Sequence, residues 1–406
     1  MPANAVLPNK RITDYFNYGE KPIKNPVAGS TMVHGLQKKL VKAAMWCNII
    51  VIAIRLYKNP FNALKKVRQL SVLRDNYRDK HKILKYAKVD GRYFFSYNAP
   101  GWPSAAFDKY ITGNLQSLSH EGGILALIFA ITKKCGYQCE HCFEWESLNK
   151  KEVLKREDLL GIIQSFQHLG ISQLILSGGE PLNRIDDIIY VLNNMKAGTE
   201  AWLFTSGYHF TDDKAKQLKA AGLTGIAVSL EHWKPDEHDH FRGKQGAFSW
   251  AAQAVSNARR QKLAVCLSLC ATRQFINGDN LYHYAELAKN WGASFIQLIE
   301  PKPVGHYQSH DVGLHKEHIQ MLEAFYTSMN FSKDYVDHPA VIYHEYYSRR
   351  MGCSGGGNHY LYVDTDGDVH NCPFCQKKLF HASGDSLAEN IRLMKTGGCA
   401  NFKVLQ

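Results

Sequence analysis

Short apolar runs alternate with amphipathic segments through the middle of the chain. Six continuous apolar runs are typical of strands buried on both faces: 124–132, 174–178, 201–207, 225–230, 263–272 and 294–300. Six segments between and after them have the 3.6-residue period of helices: 152–169, 185–195, 212–221, 247–261, 280–290 and 314–329. This alternation predicts an α/β protein with a parallel sheet over residues 119–330, and functional residues at the carboxyl ends of its strands.

Before this region the pattern is irregular and basic. Residues 1–35 are polar and proline-containing, which predicts a loose leader, and residues 36–118 are interpreted as a basic helical arm. The arm has an apolar run at 43–54 that contains Asn48 and is shorter than the roughly 20 residues of a membrane span. Asn59-Pro60 then predicts the start of a second, amphipathic helix that is rich in Lys and Arg.

The net charge of +12 is concentrated in this arm. Residues 1–100 carry 19 Lys/Arg and 5 Asp/Glu, whereas the rest of the chain carries 30 and 32. Two interpretations stay open: an arm that lies on an anionic membrane surface, or helices packed on the main domain with a solvated basic face. No nucleic-acid partner is expected. The start of the chain has no pattern of an export signal, so we expect a cytoplasmic protein, peripheral on the inner membrane face if the arm binds lipid.

Seven of the ten cysteines fall in two groups. The first group, Cys135, Cys139 and Cys142, has the spacing C-x3-C-x2-C directly after the first apolar strand. In a reducing compartment such clusters indicate metal ligands rather than disulfides. Three thiolates on one loop can hold three irons of a [4Fe–4S] cluster and leave the fourth iron for an external ligand. The alternatives are a zinc site with His141 as a fourth ligand, or chance.

These motifs resemble those of the radical S-adenosylmethionine (radical SAM) superfamily. The resemblance covers roughly residues 122–310 and implies a partial (β/α)6 TIM-like barrel. It implies that Cys135, Cys139 and Cys142 hold the catalytic cluster. In that family SAM binds the open iron, and its reductive cleavage gives a 5′-deoxyadenosyl radical that abstracts hydrogen from a substrate. A reductant such as flavodoxin or ferredoxin is then a partner.

Further motifs of the same resemblance imply the SAM contacts. The SGGEP segment at 177–181 resembles the motif that binds the amino group of SAM, which implicates Gly178, Gly179 and Glu180. The region 228–248 resembles the fourth-strand segment that implicates Ser229 and Arg242. Family members often have Asp-Gly where this chain has Glu231-His232, so no role follows for Glu231.

The second cysteine group lies in residues 331–406, which we interpret as a small separate domain with a hairpin at 360–372. Cys353, Cys372, Cys375 and Cys399 resemble part of a SPASM or twitch extension and imply a second, auxiliary [4Fe–4S] cluster. A zinc ribbon, or an auxiliary cluster with one cysteine that is not a ligand, is the alternative. Cys266 and Cys270 share one face of a strand and are expected in the core.

The substrate is not written in the sequence. The auxiliary cluster favours an oxidative modification, so a peptide or protein substrate is ranked above a lipid or membrane-linked small molecule, which the arm favours. The hypothesis from another class, a zinc-binding scaffold that docks on membranes, leaves the SGGEP motif and the six β/α units unexplained.

Overall fold

The N-terminal part of the protein is a helical hairpin held on a small antiparallel sheet. The computed structural model describes residues 31–77, 81–118, 123–353, 359–384 and 386–394. The elements in this part are β1 (Thr31–Val33), α1 (Gly35–Tyr57), α2 (Pro60–Tyr77), β2 (Tyr86–Val89), β3 (Arg92–Phe94) and α3 (Ala105–Ser117). The predicted leader therefore ends earlier than expected, because Thr31–Val33 pairs with β2; residues 1–30 lie outside the described residues.

The two predicted arm helices are confirmed, and so is the start of the second. The side chain of Asn59 accepts hydrogen bonds from the backbone N–H groups of Phe61 and Asn62, as an N-cap residue does. Asn48, the polar residue inside the apolar run, accepts a hydrogen bond from Trp102 Nε1 at 2.9 Å. One face of α1 therefore packs on the rest of the protein, as one of the two interpretations of the arm predicted: its apolar residues are buried against α2 and α3.

One mixed sheet of ten strands carries the rest of the protein. Its strands are β4 (Ala126–Ala130), β5 (Gln173–Ser177), β6 (Glu200–Thr205), β7 (Leu223–Ser229), β8 (Ala264–Cys270), β9 (Phe295–Ile299), β10 (Ala340–Tyr343), β11 (Tyr360–Val363), β12 (Asp368–His370) and β13 (Phe380–His381). The spatial order is β10-β9-β8-β7-β6-β5-β4-β11-β12-β13. Strands β4 to β9 are the six predicted ones, and neighbouring members pair in parallel. The sheet does not close, so the fold is a partial barrel.

Helices follow the strands as the periodicity predicted. They are α4 (Arg156–His168), α5 (Ile185–Asn194), α6 (Asp212–Ala220), α7 (Pro235–Arg242), α8 (Ala247–Arg260), α9 (Gly278–Asn290), α10 (Lys316–Phe331), α11 (His344–Met351) and α12 (Leu387–Leu393). The main apolar core fills the space between these helices and the sheet. Cys266 and Cys270 are buried, as predicted for core residues. Helix α7 was not predicted, because it is short and almost entirely polar.

The alternation of strands and helices continues beyond the predicted end near residue 331. Strand β10 extends the parallel sheet next to β9, and β11 joins its other edge in parallel with β4. The predicted hairpin around Asp366 is confirmed as β11–β12, but it belongs to the main sheet rather than to a separate unit. The proposed domain boundaries themselves stay a prediction.

A second apolar cluster fills the inner side of the sheet. Trp202 and Phe295 from the sheet contact Tyr97 and Phe94, which come from the segment around β3. Aromatic side chains bury large apolar areas, so this cluster fixes the N-terminal part against the barrel. The carboxyl ends of the parallel strands carry the polar residues described next.

Candidate active site

The first cysteine group lies on the long loop between β4 and α4. Cys139 is buried, and Cys135 and Cys142 are half-buried; all three pack with Tyr137, Tyr208 and Ala247. The loop therefore brings the three thiols into one cluster at the carboxyl end of β4. No group of three or more His, Cys, Asp or Glu side chains in the described part of the chain converges on a single metal ion.

Burial shifts the titration of these thiols. It raises the pKa of Cys135 to about 11 and that of Cys142 to about 12, and the neighbouring thiols add to the shift. Burial also raises the pKa of Cys139. Three adjacent thiolates repel one another in a site of low polarity, so the metal-free protein keeps these groups as thiols. A cationic iron–sulfur centre binds thiolates, so its binding releases protons.

Two glycines let β5 approach the cysteine loop. A Cβ atom on Gly178 would lie 2.6 Å from the carbonyl oxygen of Thr132, and one on Gly179 would lie 2.5 Å from that of Lys134. The N–H of Gly179 donates to Thr132 O and the N–H of Glu180 donates to Lys134 O, both at 2.7 Å. The SGGEP turn therefore binds the backbone that leads into Cys135, in addition to the SAM contact that the resemblance implies.

Glu180 is buried and its carboxylate is already engaged. It accepts hydrogen bonds from the hydroxyl groups of Thr205 and Ser206 and from the N–H groups of Ser206 and Leu182. Burial nevertheless raises its pKa above the usual value. These bonds occupy the acceptor positions of a carboxylate, so Glu180 holds the end of β6 in place. Its direct contact with an ammonium group stays a prediction.

Arg242 reaches the cysteine loop from the end of α7. Burial opposes its charge, but Cys139 and Glu231 raise its pKa above the usual value. Its Nη1 lies 3.3 Å from Glu231 Oε1, and Glu231 Oε2 accepts from the N–H of Cys270 at 2.7 Å. The buried Nε of Arg242 has no partner among the described residues. An unpaired donor next to the cysteines fits a carboxylate ligand.

Ser229 and His141 complete this side of the site. Ser229 is the last residue of β7 and is paired in register with Ser268 of β8. The Nε2 atom of His141 lies 3.6 Å from Glu231 Oε1, and its ring packs against Phe241. The structure thus brings the predicted Arg242 and Ser229 to the same strand ends as the cysteines, and it gives Glu231 the structural role that the sequence left open.

Residues 129–288 match the family model described as the Radical SAM superfamily. This segment is therefore similar to a radical SAM domain. The GTP 3′,8-cyclase of Campylobacter fetus is 27% identical over 195 residues, which cover 47% of this chain and 59% of the cyclase. The AdoMet-dependent heme synthase of Methanosarcina barkeri is 25% identical over 270 residues, or 61% of this chain and 76% of that one. A probable GTP 3′,8-cyclase of Pyrobaculum aerophilum is 30% identical over 202 residues, which cover 49% of this chain and 61% of that cyclase. The chain therefore spans less than two thirds of both cyclases.

Solved structures share the fold of this chain. Streptococcus suis SuiB bound to precursor peptide SuiA has a TM-score of 0.53 and 11% identity, over 81% of this chain and 69% of that one. The anSMEcpe structure with bound AdoMet and the Cp18Cys peptide has a TM-score of 0.51 and 16% identity, over 68% of this chain and 82% of that one. At these identities the likeness concerns the fold alone.

A contact that the motifs did not reveal closes the site of the first cysteine group from the β9 side. Gly305 has a φ of +58°, and a Cβ there would lie 2.2 Å from the carbonyl oxygen of Cys142. The N–H of His306 donates to that carbonyl at 2.9 Å, and its Nδ1 lies 3.0 Å from Cys139 O. The ring of His306 stacks on that of Trp145, with 3.8 Å between the ring centroids.

The second cysteine group lies next to the first. Cys372 and Cys375 form a turn in which the N–H of Cys375 donates to Cys372 O at 3.0 Å. Burial, together with Cys375 and Cys353, raises the pKa of Cys372 to about 11. Cys399 lies outside the described residues.

Aromatic contacts join the two cysteine groups. The ring of Phe143, the residue after Cys142, packs edge-on against Tyr362 of β11 and Phe374 of the second group, both at 6.0 Å. The hydroxyl of Tyr362 donates to the carboxylate of Glu144. The second group is therefore attached to the cysteine loop through side chains and not only through the chain.

Proposed function

We propose that this protein is an enzyme that holds a [4Fe–4S] cluster on Cys135, Cys139 and Cys142 and cleaves SAM reductively. When bound, the cluster supplies the electron for SAM cleavage to a 5′-deoxyadenosyl radical that abstracts hydrogen from a substrate. The observation that carries the proposal is the cluster of three thiols, one buried and two half-buried, beside the unpaired buried Nε of Arg242.

The side chains around the thiols have separate tasks in this proposal. Arg242 binds the carboxylate of SAM, because its charge is held in place by Glu231 and its Nε is unpaired. Gly178 and Gly179 leave backbone groups accessible for the amino group of SAM, and Ser229 lies at the strand end expected to face it. Glu180 positions the end of β6.

The second cysteine group is proposed to hold an auxiliary [4Fe–4S] cluster. Its ligands are Cys353, Cys372, Cys375 and Cys399, and ligation of all four irons by protein would close this cluster to SAM. The hydrogen bond from the N–H of Cys375 to Cys372 O supports the proposal, because it holds two of these ligands in one turn. The contact between Phe143 and Phe374 supports a position for this cluster beside the SAM-binding one.

We infer a peptide or protein substrate. Two structures with this fold were solved with peptides bound, and the auxiliary cluster offers an acceptor for an electron that leaves the substrate. A lipid or membrane-linked small molecule is the second candidate, favoured by the exposed apolar residues of the arm.

Anaerobic reconstitution tests the SAM cleavage. With dithionite and SAM, the wild type should form 5′-deoxyadenosine and methionine, and Cys139→Ala should lose both activity and about four irons. Cys47→Ala is the matched control, because Cys47 is an exposed thiol on α1, and it should keep both. A colourless, zinc-containing protein without 5′-deoxyadenosine would support the scaffold hypothesis instead.

Deuterium transfer tests the substrate class. Hydrogen abstraction from a deuterated substrate places deuterium in 5′-deoxyadenosine, so fractions of cells grown in deuterated medium can be compared. We expect transfer from the aqueous fraction and its loss after protease treatment. Transfer from the organic extract alone would replace the peptide proposal with the lipid one.

A further inference from the structure

Helix α1 is apolar on two opposite faces. One face, formed by Val41, Met45, Ile49, Ile52 and Ala53, is buried in the N-terminal core. The other face is an exposed stripe at spacings of three and four residues: Leu36, Leu40, Ala43, Cys47, Val51 and Ile54. A helix that is apolar all round is normally buried in a protein or a membrane. Among the residues that the structure describes, intramolecular contacts account for the first face only.

The exposed stripe continues at the tip of the helical hairpin. Helix α1 ends next to Lys58, and α2 begins at Pro60. On the first turns of α2, Phe61 is 85% exposed and Leu64 is 49% exposed. Phe61 and Ile54 therefore flank the same short turn, and both present apolar side chains to solvent.

The positive charge of the hairpin indicates an anionic partner. Residues 35–77 contain nine Lys/Arg and one acidic residue, Asp75. Six of these cations are exposed: Lys39, Lys42, Arg55, Lys58, Lys65 and Arg68. Two copies of so basic a surface repel each other, which disfavours a contact with a second copy of this chain. Exposed apolar side chains among Lys and Arg are the composition of an interfacial helix on anionic lipid.

We propose that α1 and α2 dock this protein on an anionic lipid bilayer, with the exposed stripe of α1 and the Ile54–Phe61 tip at the boundary of headgroups and acyl chains. Helix α1 is long and apolar enough to cross a membrane by length and composition. It lies along the surface instead, because Trp102 binds Asn48 and the hydroxyl of Tyr57 donates to Leu115 O at 2.7 Å. A spanning orientation would break these bonds and expose the buried face.

Flotation of the full-length protein with vesicles tests the proposal. The wild type should float with vesicles of phosphatidylcholine and phosphatidylglycerol, float poorly with phosphatidylcholine alone, and lose binding as salt is added. Ile54→Ser/Phe61→Ser should lower the partition coefficient about tenfold or more. Lys65→Gln/Arg68→Gln should lower it on the anionic vesicles only. Deletion of the arm is avoided, since it would uncover the core residues of α3.

Matched controls separate docking from general surface effects. Val153→Ser/Leu393→Ser changes two apolar residues that are 52% and 67% exposed elsewhere, and Lys216→Gln/Lys289→Gln changes two exposed cations of the barrel; both should bind as the wild type does. Circular dichroism melts verify that each variant is folded.

The proposal is overturned if the wild type does not float with anionic vesicles, or if the control pairs lose as much binding. A dimer in light scattering that Ile54→Ser/Phe61→Ser dissociates would overturn it in favour of self-association. None of these readouts depends on SAM cleavage.

Discussion

Substitution of Arg242 separates the neutralisation of Glu231 from the proposed binding of the SAM carboxylate. Arg242→Lys keeps a positive charge near Glu231 but removes the planar set of donors that includes the unpaired Nε. Arg242→Leu removes the charge as well. The first variant is expected to fold and bind SAM poorly, whereas the second is expected to lose stability.

The magnitudes follow from the burial of the pair. The side chains of Arg242 and Glu231 are only 8% and 2% exposed, and their closest atoms are 3.3 Å apart. Loss of one partner of such a pair costs about 3–5 kcal/mol, which is the expected destabilisation by Arg242→Leu. A hydrogen bond to a charged group contributes about 1.5–3 kcal/mol, so Arg242→Lys should weaken SAM binding about 10- to 150-fold.

The measurements are urea denaturation and anaerobic equilibrium dialysis of SAM on reconstituted protein with its iron counted. Arg260→Lys is the control, since Arg260 pairs with Asp212 at 3.1 Å on the surface and should change the stability by less than about 1 kcal/mol. Unchanged SAM affinity of Arg242→Lys at full iron content would refute the carboxylate role. An unchanged urea midpoint of Arg242→Leu would refute the argument from the buried pair.

Three other perturbations probe separate parts of the structure. Gly305→Ala places a methyl group against the carbonyl of Cys142 at positive φ, so cluster assembly should become slower and less complete, as the iron content after reconstitution shows. Cys372→Ala should lower the iron by about four atoms and leave SAM cleavage measurable; unchanged iron would contradict the auxiliary cluster. Burial lowers the pKa of Lys85 to about 7, so above pH 7 the unfolded chain binds more protons than the folded one. The free energy of unfolding should therefore rise with pH between about 7 and the ordinary lysine value, by at most about 1.4 kcal/mol per pH unit, and Lys85→Met should remove this slope in urea titrations.

Much of the architecture could be predicted because its signals are local. The six strands β4 to β9 are continuous apolar runs, and the helices between them have their own periodicity. The N-cap at Asn59 is predicted by the adjacent residues Asn59 and Pro60. The position of Cys135 directly after an apolar strand predicts that the cysteine loop lies at a strand end. In each case the deciding interactions occur within a few residues.

Other features were decided only by tertiary structure, because they depend on which distant segments meet. The sequence predicted a separate C-terminal unit, whereas β11 pairs with β4 about 230 residues away and joins the main sheet. Glu231 departs from the family pattern, and its role became visible once folding placed it against Arg242. Helix α1 is apolar on both faces, so its sequence does not say which face is buried. Contact with α3 decides this and leaves the other face exposed. Periodicity records what a segment can bury, but only the packing of remote segments determines what it does bury.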